Sequence, residues 1–217
     1  MATQLLPRGL RSEEKSFMSN GRQFQKLNVR FDAPGFEGRN KVKVQIWFIA
    51  RDWLFRMSPH ACNGFRVFLL RLFGAKVSSS AVIRPSAEIT YPWSVEIGDH
   101  SYIGDRVCLY SLGRISIGAH VSVSMGATVC TGTHDFDDPN FQLIVKPVII
   151  EDEASVCAES FIGPGVHIMR GGVLGARSVI MKGVIGEGEI WAGSPAKYIR
   201  SRAVSREGVI LESRDYQ

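Results

Sequence analysis

The sequence predicts an all-β solenoid, a parallel β-helix of about five coils, and three observations predict it. Aliphatic residues recur six apart in runs: Val77, Ile83 and Ile89; Ile97, Ile103 and Leu109; Ile117, Val123 and Val129; then Ile150, Val156, Ile162, Ile168, Leu174 and Ile180. Four residues after each comes a second position that is small everywhere except at Trp93. It holds Ala81, Ala87, Ser101, Val107, Gly113, Val121, Ala127, Thr133, Ala154, Ser160, Val166, Gly172, Ser178 and Val184. Helices repeat near 3.6 residues and strands at two, and neither generates a strict six. A coil with three short flat faces does: the aliphatic residue fills the interior, the small one fits beside the corner, and glycines such as Gly98, Gly104, Gly118, Gly163 and Gly175 ease the turns. The 15 hexads, taken three to a coil, make about five coils over residues 76–191.

The third observation is where the repeat breaks. The spacing stretches to eight after Ile89, to eight after Leu109 and to 21 after Val129, which open the third, sixth and ninth hexads. Every third hexad stacks on the same edge, so all three insertions leave one corner of the solenoid, separated by ~4.8 Å per coil. They contribute Tyr91, Pro92 and Trp93, then Tyr110 to Arg114, then a loop over 131–147. Growth confined to one edge marks the wall of a site, which makes Tyr91, Trp93, Tyr110 and Ser111 candidates for contact with a substrate.

Ahead of the repeats, 41–75 reads as an apolar helical cap. Phe65, Phe68, Leu69, Leu72 and Phe73 follow helical spacing with Arg66 and Arg71 on other faces, and a second apolar segment runs from Val44 to Phe55. A repeat array needs its open end covered; the alternative is a surface that receives an apolar acceptor or meets a membrane. Residues 1–40 read as irregular, and 192–217 as a tail without apolar period.

Composition narrows the function. A hydrophobic fraction of 45% excludes a disordered chain, and a formal charge of +5 scattered from end to end points to anionic ligands, with no dense basic tract for nucleic acid. The apolar run Ile46 to Ala50 falls far short of the ~20 residues that span a bilayer. The first 30 residues hold no apolar core of a signal peptide, so the expected location is the cytoplasm. Cys62, Cys108, Cys130 and Cys157 form no C-x-x-C pair and read as reduced core or turn residues.

The candidate chemistry lies in Thr131 to Phe136, TGTHDF, which puts His134 at the last position of the ninth hexad, on the elaborated edge. A neutral imidazole takes a proton from a hydroxyl near neutral pH, so His134 is the candidate catalytic base. The structural alternative is a turn histidine bonded to loop backbone. His100 and His120 hold the fourth position of their hexads, as solvent-facing turn residues, and His60 precedes the cap helix with a structural role. His167, last in the twelfth hexad, stacks one coil beyond His134 and is either a corner residue or a second site residue.

The strings TGTHDFDDPNFQLIVKPVII (131–150), IGPGV (162–166), AGSPAKYIR (192–200), FLLRLFGAK (68–76) and YPW (91–93) closely resemble the hexapeptide-repeat acyltransferases. Within them the similarity is to the colanic-acid type of exopolysaccharide O-acetyltransferase, akin to the nodulation, galactoside and maltose enzymes. It covers roughly residues 36–200. The resemblance implies a left-handed β-helix, an exception to the right-handed crossover rule, and a homotrimer with active sites between neighbouring subunits. Acetyl-CoA is the implied co-substrate, a saccharide hydroxyl the acceptor, and no metal is needed. It implies that His134 acts as general base with Asp135 beside the acceptor, and that backbone amides steady the oxyanion. Ala158 and Ala176, 18 residues or one coil apart, match the pantetheine groove, and Lys182, Lys197 and Arg200 match the cations that meet the CoA phosphates.

Two departures stand out. The family's aromatic near Ser155 and its small residue at His167 are absent, and the acidic residue that contacts the acceptor in the simpler sugar enzymes is replaced by Leu112. Two other functions fit the same fold. A γ-type carbonic anhydrase needs three histidines on zinc, but Pro139 and Asn140 stand where a second histidine should follow His134. A non-catalytic scaffold would leave both His134 and the lysines without a role.

Overall fold

The structure, a computed structural model, describes Phe36 and residues 40–203. The expected irregular segment 1–40 therefore lies, except for Phe36 and Asn40, outside the described residues. The chain divides into two compact units. The larger comprises Ala33–Thr133 and Ile144–Gln217, and the described residues of the smaller are His134–Leu143.

In the larger unit, α1 (Lys41–Ala50) continues as a π-helical turn, Arg51–Phe55, and α2 (Asn63–Leu72) follows. Asn40 caps α1, its side-chain oxygen accepting the Lys43 N–H at 3.0 Å. The first coil is β1 (Lys76–Val77), β2 (Val82–Ile83) and β3 (Glu88–Ile89); the second is β4 (Val95–Ile97), β5 (Tyr102–Ile103) and β6 (Cys108–Tyr110). The third is β7 (Ile115–Ile117), β8 (Ser122–Val123) and β9 (Thr128–Cys130), after which β10 (Gly132–His134) and β11 (Leu143–Val145) form a two-stranded sheet of their own. The fourth coil is β12 (Val148–Ile150), β13 (Ser155–Val156) and β14 (Phe161–Ile162); the fifth is β15 (His167–Ile168), β16 (Val173–Leu174) and β17 (Val179–Ile180). β18 (Val184–Ile185) and β19 (Glu189–Gly193) open a sixth, and β20 (Ala196–Ser201) turns back antiparallel along β19.

Three faces result: β1-β4-β7-β12-β15-β18, then β2-β5-β8-β13-β16-β19 with β20 beyond it, then β3-β6-β9-β14-β17. The parallel solenoid is the expected one, but it has about six coils instead of five. The sixth was hidden because Ile180 to Ile185 is a step of five residues, which breaks the six-residue count. All 15 aliphatic positions of the repeat are buried, each contributing about 1.5–3 kcal/mol of apolar burial.

The glycines of the repeat work differently from what the sequence suggests. At the first corner the left-handed conformation that aims each N–H at the preceding coil is taken by His100, His120 and Glu153 as well as by Gly171 and Gly188. At the second it is taken by Arg106, Glu159 and Arg177 as well as by Gly126. Gly98 is needed for room: a Cβ there would stand 2.6 Å from the carbonyl of Gly118 in the next coil, and one on Gly163 would stand 2.7 Å from the Met181 carbonyl oxygen.

The cap seals the open edge of the first coil with side chains. Trp47 donates its indole N–H to the Ile89 carbonyl at 2.9 Å, Asn63 bonds both the Ala81 carbonyl and the Ile83 N–H, and Arg71 reaches the Val77 carbonyl at 2.6 Å. Arg66, expected on an outer face, is 1% exposed. Its guanidinium donates to the carbonyls of Ile83, Pro59 and His60 and to the Ser58 hydroxyl. An unpaired strand edge costs more than burying an arginine that satisfies it. Conversely Phe65, Phe68 and Leu72, expected to face inward, are exposed, while Val67, Leu69 and Leu70 pack against the solenoid.

Candidate active site

The elaborated corner joins the third face to the first face of the next coil. Its insertions are bonded coil to coil: the Tyr91 N–H donates to the Ser111 hydroxyl at 2.9 Å and that hydroxyl donates to the Tyr91 carbonyl at 3.0 Å. One coil on, the Thr131 hydroxyl donates to the Tyr110 carbonyl and accepts the Gly113 N–H, both at 2.9 Å. Ser111 is fully buried and Tyr91 is 8% exposed. Both are candidates for substrate contact; the Ser111 hydroxyl and the Tyr91 backbone bond each other within the wall. Tyr91 stacks on Trp93 at 5.2 Å, and the Lys43 ammonium lies 4.2 Å over the Trp93 ring. Tyr110 faces outward, 41% exposed, and partial burial pushes its phenol above the usual range.

The long connection leaves β9 at this corner and rejoins the solenoid at β12. In the smaller unit, the His134 ring stacks on Phe141 at 4.1 Å with an interplanar angle of 9°, and Phe136 meets Phe141 edge-on. His134 Nδ1 is 2.8 Å from the Phe141 carbonyl oxygen. A carbonyl can only accept, so Nδ1 carries the hydrogen, and in the neutral ring the lone pair is on Nε2. Phe141 takes a left-handed φ of 53°, which the turn bond from its N–H to the Asp138 carbonyl accompanies. This residue orients the imidazole, and the sequence carried no signal for it. The Asp135 carboxylate accepts the Asp137 N–H at 3.0 Å, bracing the same turn.

Ala158 and Ala176 sit in register at the second corner, which joins the second and third faces, one coil apart as the spacing expects. The Ala158 carbonyl is taken by the Arg177 N–H at 2.9 Å, so its own N–H is what it can offer a ligand. The next residue on this line is Gly193, beside Ala196 and Lys197 of β20. Lys197 is exposed there, and Arg200 lies further along β20 with a guanidinium bond to the Ser201 carbonyl. Lys182 stands apart from them, exposed in the turn between β17 and β18 at the third corner. The alanine line lies at the second corner, and the chain leaves the solenoid toward His134 after β9, at the third. His167 Nε2 is held 2.6 Å from a Glu151 carboxylate whose other oxygen accepts the Arg170 N–H, the arrangement of an anchored corner residue. Among the described residues, no three His, Cys, Asp or Glu side chains gather as a metal site would require.

A parallel β-solenoid of six-residue repeats is the fold this chain shares with solved hexapeptide-repeat acetyltransferases. No family model matches the sequence. The chain is 43% identical over 173 residues to a protein of Escherichia coli (strain K12) named as a colanic acid biosynthesis acetyltransferase, WcaF, covering 79% of this chain and 94% of that one. A hexapeptide-repeat acetyltransferase of Vibrio cholerae O1 biovar eltor, solved with acetyl coenzyme A, superposes with a TM-score of 0.69 at 25% identity over 76% of this chain and 92% of the other. A maltose O-acetyltransferase from Clostridium difficile 630 has the same fold, with a TM-score of 0.66 at 21% identity over 75% and 88% of the two chains. The chain belongs to the hexapeptide-repeat acetyltransferases and is an acetyl-CoA-dependent O-acetyltransferase.

Proposed function

We propose that this enzyme acetylates a sugar hydroxyl during the assembly of an exopolysaccharide, with His134 as general base, at a site that two copies of a homotrimer complete. The observation that carries the reading is the His134 to Phe141 contact of 2.8 Å, which fixes the tautomer with Nε2 as the acceptor. Likeness to the colanic acid enzyme supports a saccharide acceptor. The four free cysteines suit the reducing cytoplasm, and no described helix is long and apolar enough to cross a membrane.

Acetyl-CoA supplies an acetyl group activated as a thioester. The second corner suits its pantetheine arm: small side chains at Ala158 and Ala176 leave backbone N–H groups open one coil apart, and the line ends at Lys197, placed to meet phosphate. His134 Nε2 takes the proton of the acceptor hydroxyl as its oxygen bonds to the thioester carbonyl carbon. The imidazolium returns that proton to the sulfur as the carbon–sulfur bond breaks, so the histidine ends as it began. The chain leaves the solenoid toward His134 after β9, at the third corner, and in the homotrimer the base of one copy serves the groove of its neighbour. Lys182, on the histidine's corner, then reaches the same CoA from the neighbouring side.

The test is acetyl transfer from acetyl-CoA to a panel of sugars and nucleotide sugars, with His134→Ala in parallel. The variant should lose about 10²- to 10⁴-fold in kcat while its CoA affinity by calorimetry stays put. Wild-type activity should fall toward acid pH, since only the neutral imidazole accepts a proton. A variant within about threefold of wild type, far short of a general base's contribution, would remove His134 from the base's role.

A further inference from the structure

α1 and the π-helical turn after it are apolar on both sides. The inner side, with Trp47, Ala50 and Phe55, packs on the first coil. The outer side carries Val42, Ile46, Ile49 and Trp53, three or four residues apart on one stripe, with Met57 a turn further on. All five are exposed, Trp53 by 74% and Met57 by 73%. Phe65, Phe68 and Leu72 of α2 repeat the pattern. Soluble surfaces rarely leave so much large apolar area to water.

The charges beside the stripe are mostly positive, with Glu88 lying 3.7 Å from Arg56. Residues 40–75 hold six basic side chains and a single acid, Asp52, which is paired with Arg51 at 2.8 Å. Arg66 and Arg71 serve the first coil's edge, but Lys41, Arg56 and Arg71 remain on the surface. A second copy of this face, packed on it symmetrically, would set these cations against each other with Asp52 and Glu88, both already paired, to answer them. A helix with an apolar stripe, a tryptophan in it and lysine or arginine at its flanks suits the interface of an anionic bilayer, apolar side chains entering the headgroup boundary and cations meeting phosphate. At ten residues plus one turn it can lie along a membrane and cannot cross it.

We propose that the outer face of the 41–57 helix docks this enzyme on an anionic lipid surface. The solenoid stands behind the docked face, since the helix's other side is the cap of its first coil. Docking is separable from acetyl transfer, so its test does not depend on the acceptor's identity.

Flotation of the full chain with vesicles of phosphatidylcholine, alone or mixed with phosphatidylglycerol, tests it. The protein should float with the mixed vesicles, less with the neutral ones, and be released by salt. Ile46→Ser with Trp53→Ser should lower partitioning about tenfold or more, while the far-ultraviolet dichroism keeps the wild-type shape. Lys41→Glu with Arg56→Glu should abolish the preference for phosphatidylglycerol. Light scattering on the same samples identifies other occupants. Wild-type protein that ignores both vesicles overturns the proposal, and if the serine variant then also drops in mass, a second copy covers the stripe. Equal flotation of wild type and serine variant overturns it as well.

Discussion

The first two corners and the third corner of this solenoid are built from the same repeat and behave oppositely. Across the first corner every step is six residues, from Val77 to Ile83 through Ile185 to Trp191, and across the second likewise, from Ile83 to Ile89 through Leu174 to Ile180. Across the third the steps are eight, eight, 21, six and five, read from Ile89, Leu109, Val129, Ile162 and Ile180 to the next inward residue. The regular corners carry ladders in which each turn N–H bonds the preceding coil, as Glu159 does to the Met125 carbonyl and Arg177 to the Ala158 carbonyl. The irregular corner replaces such rungs with side chains, Ser111 and Thr131, and so frees chain for a loop. In the proposed mechanism the regular corners hold the fold and offer a linear track, and the irregular one supplies the reactive group.

That contrast can be broken by substitution. At the irregular corner, the loss of turnover in His134→Ala should come with little change in melting temperature, since the imidazole stacks on and bonds Phe141 in its own loop. Thermal melts of the kinetic samples check this. At a regular corner the order reverses: Gly98→Ala forces a Cβ to 2.6 Å from Gly118 backbone and should cost about 2–3 kcal/mol in denaturant unfolding, with kcat of the folded fraction intact. Ala176→Trp, which fills the track without touching the core, should raise KM for acetyl-CoA about tenfold and leave stability alone. Lys197→Ala is the smallest change, a few-fold loss of CoA affinity that high salt erases, because the lysine is exposed and its attraction screened. An Ala176→Trp enzyme with normal KM would move the donor off the second corner.

How much of this was legible beforehand follows the same division. The regular corners could be read from spacing alone, because an inward aliphatic every six residues admits few other shapes. The sixth coil was not, since the one-residue deletion before Ile185 erases the period at the place where it had to be counted. Helical spacing in the cap told which residues share a side but not which side faces in. That was decided by the open backbone of the first coil, which draws Arg66 and Asn63 inward and turns Phe65, Phe68 and Leu72 out. His134 was found from its place on the interrupted edge. Its orientation was not, because Phe141 acts through a carbonyl, and any residue could supply one.

The central claim is that the base on the third corner of one copy works on a donor held at the second corner of another. Mixing two impaired variants tests it most directly: His134→Ala lacks the base and keeps the track, and Ala176→Trp, assayed at acetyl-CoA concentrations well below its KM, keeps the base and runs at about a tenth of the wild-type rate. Unfolded together and refolded as mixed trimers, equal amounts should recover roughly a quarter of the wild-type sites, since each neighbouring pair needs an intact histidine from one copy and an intact track from the other. If the mixture shows no more activity than the two variants measured separately, base and track belong to the same copy, and the division of labour between corners is wrong.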